Sequence, residues 1–567
     1  MFDTKNNIDK SHRNCIYIYI SKIIFFCGIG LWGLGLKYSK FYIGELGLIN
    51  SFNILYIISY SMIILSIILY IFNAKKKNRN AFWLVFMSLV FVLLTISTPL
   101  IFEGTPRNTH SFGLYKQSDY IEKYGNLKPN NDLWYHSWPG LFIVENGIQK
   151  ITGAQANTIL SFTPIITGLL LYVFVLFSLK IYLKKFNNNY FKEIWVGLLI
   201  FVIFNFLDLN YFTPSNLGYV YFVVLIGCFG MCLDRNRTNS ESIILLIIYS
   251  ALVITHFISA VAIILVSIFL NYIINHCKEF NCKNHKIWVH LIVMFSVFVL
   301  AWLISGAVQQ IDMRLPQFAK ELYNFKVADR IVPVVSQNSP LIIIQRIRLL
   351  TILILICFAF VGIIMGWKKQ NKKIVILSIV MIISMLPLLL MFEYSGEMRQ
   401  RVYLYSLFPL TILSVMMLQS KFFKLFIIIF LIVSPSLHFI NHYGNEILYY
   451  VNNAEICAAE LFFEKTKEGT IACGGNNLSS YRYGNYKYES ISPIWNLTSS
   501  SKIIYIWLNK SFEDSIKVNG LLQSQLIYSP DFFNKTITSV NNNTYATLFY
   551  DSNYVKYYRY SGCYYEQ

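Results

Sequence analysis

EGTPRNTHSFGLYKQSDYIEKYGNLKPNNDLWYHSWPG, residues 103–140, is a polar interruption between two long hydrophobic spans. It gathers the acids Glu103, Asp119, Glu122 and Asp132, the cations Arg107, Lys116 and Lys123, and the run Trp134-Tyr135-His136-Ser137-Trp138. A water-soluble tether needs none of these residue types, so chemistry is expected here, beside the membrane.

Hydrophobic residues make up 55% of the 567 residues and charged residues 14%. Apolar runs near the ~20 residues that cross a bilayer as helix recur along most of the chain. The composition therefore predicts a mainly α, polytopic integral membrane protein. Spans are expected at about 16–36, 51–73, 81–102, 155–183, 193–208, 213–232, 242–254, 257–274, 287–305, 347–366, 374–391, 402–418 and 425–440, roughly thirteen crossings by hydropathy. Ile16 to Leu36 follows Lys5, Lys10 and Arg13 and reads as a retained first helix, because it lacks a small-residue cleavage site. The stretch 242–274 is divided at Thr255-His256, since lipid cannot satisfy a polar pair in mid-membrane.

Alternate loops carry Lys75, Lys76, Lys77 and Arg79; Lys184, Lys185 and Lys192; Arg235 and Arg237; Lys278, Lys283 and Lys286; Lys368, Lys369, Lys372 and Lys373; and Lys421 and Lys424. That face is expected to be cytoplasmic, with the N-terminus inside and the C-terminus outside. From residue 441 onward ten Lys/Arg stand against eleven Asp/Glu, so the net charge of +19 resides in the membrane part and reflects topology. A nucleic-acid partner is not expected.

The tail is predicted to be a small extracytoplasmic α/β or α+β domain of ordinary size. Ala458–Lys467 reads as a helix, Thr470–Cys473 and Lys502–Trp507 as strands, and Tyr545–Arg559 as a hairpin turning near Asp551-Ser552-Asn553. Glycosylation triplets begin at Asn477, Asn496, Asn509, Asn534 and Asn542, against one elsewhere at Asn236. Such triplets also arise by chance in an Asn-rich chain. Cys457, Cys473 and Cys563 permit one tail disulfide, and the run His276-Cys277 to Cys282 and His285 is read as a solvated basic loop over a zinc site.

Transfer from a lipid-linked donor to a water-side acceptor needs an acid to deprotonate the acceptor or hold a metal. It also needs cations for a leaving phosphate and an aromatic wall for a sugar or isoprenoid. The 103–140 loop supplies each type. Taken singly, its aromatics also suit an interfacial belt and its charges a solvated loop.

The sequence resembles the GT-C superfamily of polytopic glycosyltransferases, which use polyprenyl-phosphate-linked sugars. The resemblance rests on Asp119-Tyr-Ile-Glu-Lys-Tyr-Gly-Asn followed by His136-Ser-Trp-Pro-Gly140 and Ile151-Thr-Gly153, on Asn210-Tyr-Phe-Thr-Pro214, and on Thr255-His256 within a broken helix. Arg399-Gln-Arg401 before a Pro-containing helix and the closing Tyr550-to-Arg559 segment complete it, so it covers most of the chain from about residue 80. It implies a two-helix addition over 1–80, a GT-C-like core over 81–440 with an outer loop at 103–154, and a soluble domain over 441–567.

Carried over by position, the resemblance puts catalytic acids at Glu103 or Asp119 and at Asp208, with a basic residue for the lipid phosphate at Arg399 or Arg401. Arg107, His110, Asp132, Trp134, His136 and His256 are the further substrate-binding candidates. Glu103, at the end of a span, is the favoured base, while Asp119 beside Lys116 and Lys123 is expected to stay ionised and to position the acceptor. The implied partners are a polyprenyl-phosphate-linked sugar and membrane lipid, with the acceptor open. A divalent metal, Mg or Mn, is left open too, because no ligand set has diagnostic spacing.

Two departures matter. Where many relatives begin the loop helix with an acid, this chain reads Arg107-Asn108-Thr109-His110, and it lacks the Trp-Trp-Asp signature of oligosaccharyltransferase catalytic subunits. The alternatives are a transporter or flippase of a lipid or envelope precursor, and an inactive GT-C-like scaffold. A secondary transporter is expected to show repeated halves with matched membrane acids, and none are evident.

Overall fold

A computed structural model describes residues 2–44, 46–74, 78–130, 133–186, 190–206, 211–232, 239–277, 285–313, 316, 341–368, 371–390, 397–446, 450–465, 471–474, 487–489, 504–509, 546–551 and 555–560. Asp132, Asp208, Asn236, Asn477, Asn496, Asn534, Asn542, Cys282 and Cys563 lie outside the described residues, as do Lys75–Lys77, Arg235, Arg237 and Lys369.

The helices are α1 (Phe2–Tyr38), α2 (Ile54–Asn73), α3 (Asn78–Glu103), α4 (Thr109–Tyr124), α5 (Gly140–Thr152), α6 (Ala156–Phe186), α7 (Phe191–Phe204) and α8 (Pro214–Cys232). They continue with α9 (Asn239–Thr255), α10 (Phe257–His276), α11 (His285–Ser305), α12 (Leu341–Lys368), α13 (Lys372–Ile383), α14 (Glu397–Val415), α15 (Lys421–Tyr443) and α16 (Asn453–Lys465). Among the described residues, 11 are long and apolar enough to cross a membrane. The two expected spans not among these 11 are 193–208 and 242–254, where α7 has 14 residues and α9 has 17. The 103–140 stretch is also more than a loop, since it holds α4 and a 3-10 turn at Trp134–Ser137.

Helices in lipid gain little from apolar burial against one another, so close approach and interhelical hydrogen bonds must hold them. Tyrosine supplies many of those bonds. Tyr182 donates to the Ile226 carbonyl at 3.0 Å, Tyr219 to Leu404 at 2.9 Å and Tyr403 to Phe204 at 2.8 Å, while Tyr56 shares a 2.8 Å bond with Thr98. Each buried hydroxyl meets a group on another helix, so the apolar rings pack without an orphaned polar tip. Gly362 allows α12 to approach the Leu413 carbonyl of α14 so closely that a Cβ there would overlap the oxygen. The first two helices share this core: Phe52 and Tyr56 pack on Phe102 of α3 and Phe439 of α15.

After α16 the described strands β1 (Ile471–Gly474), β2 (Lys487–Glu489), β3 (Ile504–Asn509), β4 (Ala546–Asp551) and β5 (Val555–Tyr560) form one mixed sheet of order β2-β1-β3-β5-β4. β1 pairs in parallel with β2 and β3, and β5 lies antiparallel between β3 and β4. The β4–β5 pair is the hairpin that the 545–559 pattern predicts.

Candidate functional site

Glu103 ends α3, α6 begins at Ala156, and Tyr443 ends α15, so these termini mark one end of the bundle, here termed the loop end. There the chain turns from Glu103 into α4 through Gly104 and Asn108, both at positive φ. Asn108, at φ 75°, caps α4 by accepting from the His110 N–H at 2.9 Å. Asn is among the few non-glycine residues that tolerate this backbone region, and here its short amide also serves as the cap.

The turn directs Arg107 inward. Its Nε and Nη2 donate to the two carboxylate oxygens of Glu446 at 2.6 and 2.7 Å, and Nη2 also reaches the His442 carbonyl at 3.2 Å. Both side chains are almost wholly buried. Glu103 is 8% exposed and lies within electrostatic reach of Glu446 and Arg107. Two acids thus share one guanidinium at the membrane edge. Sequence reasoning missed the partners His438, His442 and Glu446. Their i, i+4, i+8 spacing at the end of an apolar span was the available signal.

A second group forms where the α9–α10 helix breaks. His256 caps α10; its Nδ1 lies 2.8 Å from the Ser259 hydroxyl and accepts from the Ser259 N–H at 3.3 Å. The Ser259 hydroxyl is 2.7 Å from that of Tyr405, which Arg401 hydrogen-bonds in turn. A guanidinium can only donate, so the chain runs in one direction: Arg401 to Tyr405, Tyr405 to Ser259, Ser259 to Nδ1. In an uncharged ring the proton then sits on Nε2, and the half-buried His256 presents a donor. Arg399 lies two residues earlier on α14, about 200° round the helix, and is half-buried. Near Arg401 on α14, Tyr403 bonds the Phe204 carbonyl at the end of α7 and packs on Phe206, 5.5 Å between ring centroids.

The remaining predicted residues divide. His136 is 2% exposed and commits both nitrogens to backbone: Nδ1 accepts from the Lys128 N–H at 3.0 Å, and Nε2 donates to the Gln117 carbonyl at 3.0 Å. Burial lowers its proton affinity below the usual histidine range. His136 thus pins the loop to α4, and Arg107 holds Glu446. His110 is half-buried against Tyr211, and Trp134 stacks on Tyr135 at the surface of the same loop.

Asp119, 3% exposed, pairs with Lys123 at 3.0 Å. Across from it on α5 stands Glu145, 2% exposed, an acid that sequence reasoning passed over although it interrupts the apolar run Leu141–Ile148. Burial, and then the charges of Glu122 and Asp119, push its carboxyl up to about 7 against the pull of the Ser118 hydroxyl. Among the described residues no three His, Cys, Asp or Glu groups are placed to hold a metal ion.

No protein-family model and no curated protein matches the chain. Solved structures do. The archaeal oligosaccharyltransferase AglB from Archaeoglobus fulgidus, in complex with an inhibitory peptide and a dolichol-phosphate, matches with a TM-score of 0.51 at 12% identity, over 79% of this chain and 72% of that one. ArnT from Cupriavidus metallidurans in the apo state matches with a TM-score of 0.51 at 8% identity, over 85% and 98%. The chain shares the fold of these two proteins.

Proposed function

We propose that the protein is a membrane glycosyltransferase that moves a sugar from a polyprenyl- or dolichyl-phosphate carrier to an acceptor on the extracytoplasmic face. The observation that carries this reading is the directed chain from Arg401 to His256. It leaves a guanidinium and an imidazole N–H at the loop end of a membrane bundle, a donor set suited to a phosphate oxyanion. The dolichol-phosphate in AglB, which shares the fold, supports a lipid-phosphate ligand.

In this reading the acceptor hydroxyl attacks the anomeric carbon, the bond from that carbon to the phosphate oxygen breaks, and the phosphate leaves with the electron pair. Configuration inverts. Arg401, Arg399 and His256 hold the leaving phosphate, Glu103 takes the acceptor proton, and Asp119 and Asp208 position the acceptor. The division 1–80, 81–440 and 441–567 accompanies the proposal, with the sheet-bearing tail on the acceptor side.

Sugar transfer from a polyprenyl-phosphate donor in proteoliposomes tests it. Glu103→Gln or Asp119→Asn should lower turnover at least about a hundredfold if that carboxylate handles the proton, and Arg401→Ala should weaken carrier binding while the protein still inserts. Near-wild-type turnover in both acid variants, or unchanged lipid affinity in Arg399→Ala, Arg401→Ala and their combination, would move the reading to a transporter or inactive scaffold.

A further inference from the structure

A cavity lies between α3, α6, α7, α8 and α15, and it is lined by none of the residues assigned to the phosphate. Its walls combine apolar Val92, Ile96, Pro164, Leu171, Val202 and Val220 with Thr95, Thr167, Tyr172, Asn216 and Tyr219. Its polar floor carries Asn205, His438 and His442. His438 and His442 are 5% and 4% exposed, and His438 Nε2 and the Asn205 Oδ1 have no hydrogen-bond partner among the described residues.

The chemistry of the floor is set by one bond. His438 Nδ1 is 2.8 Å from the Ile203 carbonyl, which can only accept, so Nδ1 carries a proton. A charged ring at membrane depth is costly. In the uncharged ring Nε2 is a lone pair aimed at the cavity. His256 presents the opposite pole, an N–H. An anion would face the lone pair of His438, and a cation would face the guanidinium groups of Arg107 and Arg348 that act on His442. A neutral O–H donor satisfies both limits.

Size and surroundings narrow the class. The cavity holds about 70 Å³, less than half the ~150 Å³ of a cavity that holds benzene, so it takes a small head and not a sugar ring. Half-buried Ile96 and Gly168 mark its exposed edge, beside the outward-facing Phe162, Ile166 and Leu170 of α6. A tail leaving the cavity there would lie along apolar helix surface.

We infer that this cavity binds the hydroxyl head of an uncharged lipid alcohol, with His438 Nε2 accepting its O–H. The inference stands apart from the glycosyltransferase reading.

The test uses the full chain in lipid nanodiscs and a long-chain alcohol bearing a diazirine near its hydroxyl, beside the matching methyl ether and alkyl phosphate. Saturable crosslinking by the alcohol to the 92–96 or 164–171 segments is expected, about tenfold weaker for the ether and the phosphate, as loss of one good hydrogen bond dictates. His438→Leu should reduce alcohol labelling to the ether level. Equal labelling by ether or phosphate, retention of labelling in a folded His438→Leu, or no saturable labelling at all, which would mean water alone occupies the floor, each overturns it. The wild-type comparison of alcohol with ether decides the matter even if the variant fails to fold.

Discussion

Glu145→Gln should make the protein more stable at neutral pH and remove a specific pH dependence. The carboxyl, 2% exposed, is held at about 7 against an ordinary 4.5, chiefly by burial. The folded state therefore binds a proton that the unfolded state has released throughout the window between those values. Stability contributed by this group is full below about 4.5, falls as pH rises, and levels off above about 7. At roughly 1.4 kcal/mol per pKa unit, the cost of holding ionised Glu145 in place is about 3 kcal/mol at pH 8. A neutral amide of the same shape does not ionise. Thermal unfolding of both forms in nanodiscs between pH 4 and 8.5 is the assay. The curves should converge near the acid end and separate in favour of Glu145→Gln by pH 8. Parallel curves across the window would refute the reasoning, as would a wild type that gains stability relative to the variant on going from about pH 5 to 7.

Arg107→Ala leaves Glu446 charged and buried without its bidentate partner and should destabilise by about 3–5 kcal/mol, with partial rescue by Glu446→Gln, read from thermal midpoints of the single and double variants. Arg107→Lys should rescue poorly, since a point charge cannot span both oxygens. Gly362→Ala puts a Cβ against the backbone of α14 rather than a movable side chain, so a loss of about 1–3 kcal/mol and reduced yield of folded protein are expected, whereas Gly30→Ala, with open space around it inside α1, should bring no loss and a gain of up to about 1 kcal/mol from helix propensity. Single thiols introduced near Lys76 or Lys368 should resist an impermeant reagent in intact cells while a thiol at Glu464 reacts; the reverse pattern would invert the proposed topology.

The sequence by itself determined what is local. Run length against bilayer thickness located every apolar helix described, and the polar pair Thr255-His256 marked the break between α9 and α10, because in lipid each unsatisfied backbone group must be answered within a few residues. Run length does not show where a helix such as α7 stops, at Phe204, where the Asn205 N–H closes on the Phe201 carbonyl. Only tertiary structure decided the site. Arg107 meets a carboxylate 339 positions away, and the hydroxyls of Ser259 and Tyr405 meet across 146. The same residue type becomes a donor at His256, where a hydroxyl chain occupies Nδ1, and in its uncharged form an acceptor at His438, where a carbonyl does. Hydrogen-bond polarity of an imidazole is set by the partner that packing brings to its other nitrogen, and no spacing along one chain encodes that partner.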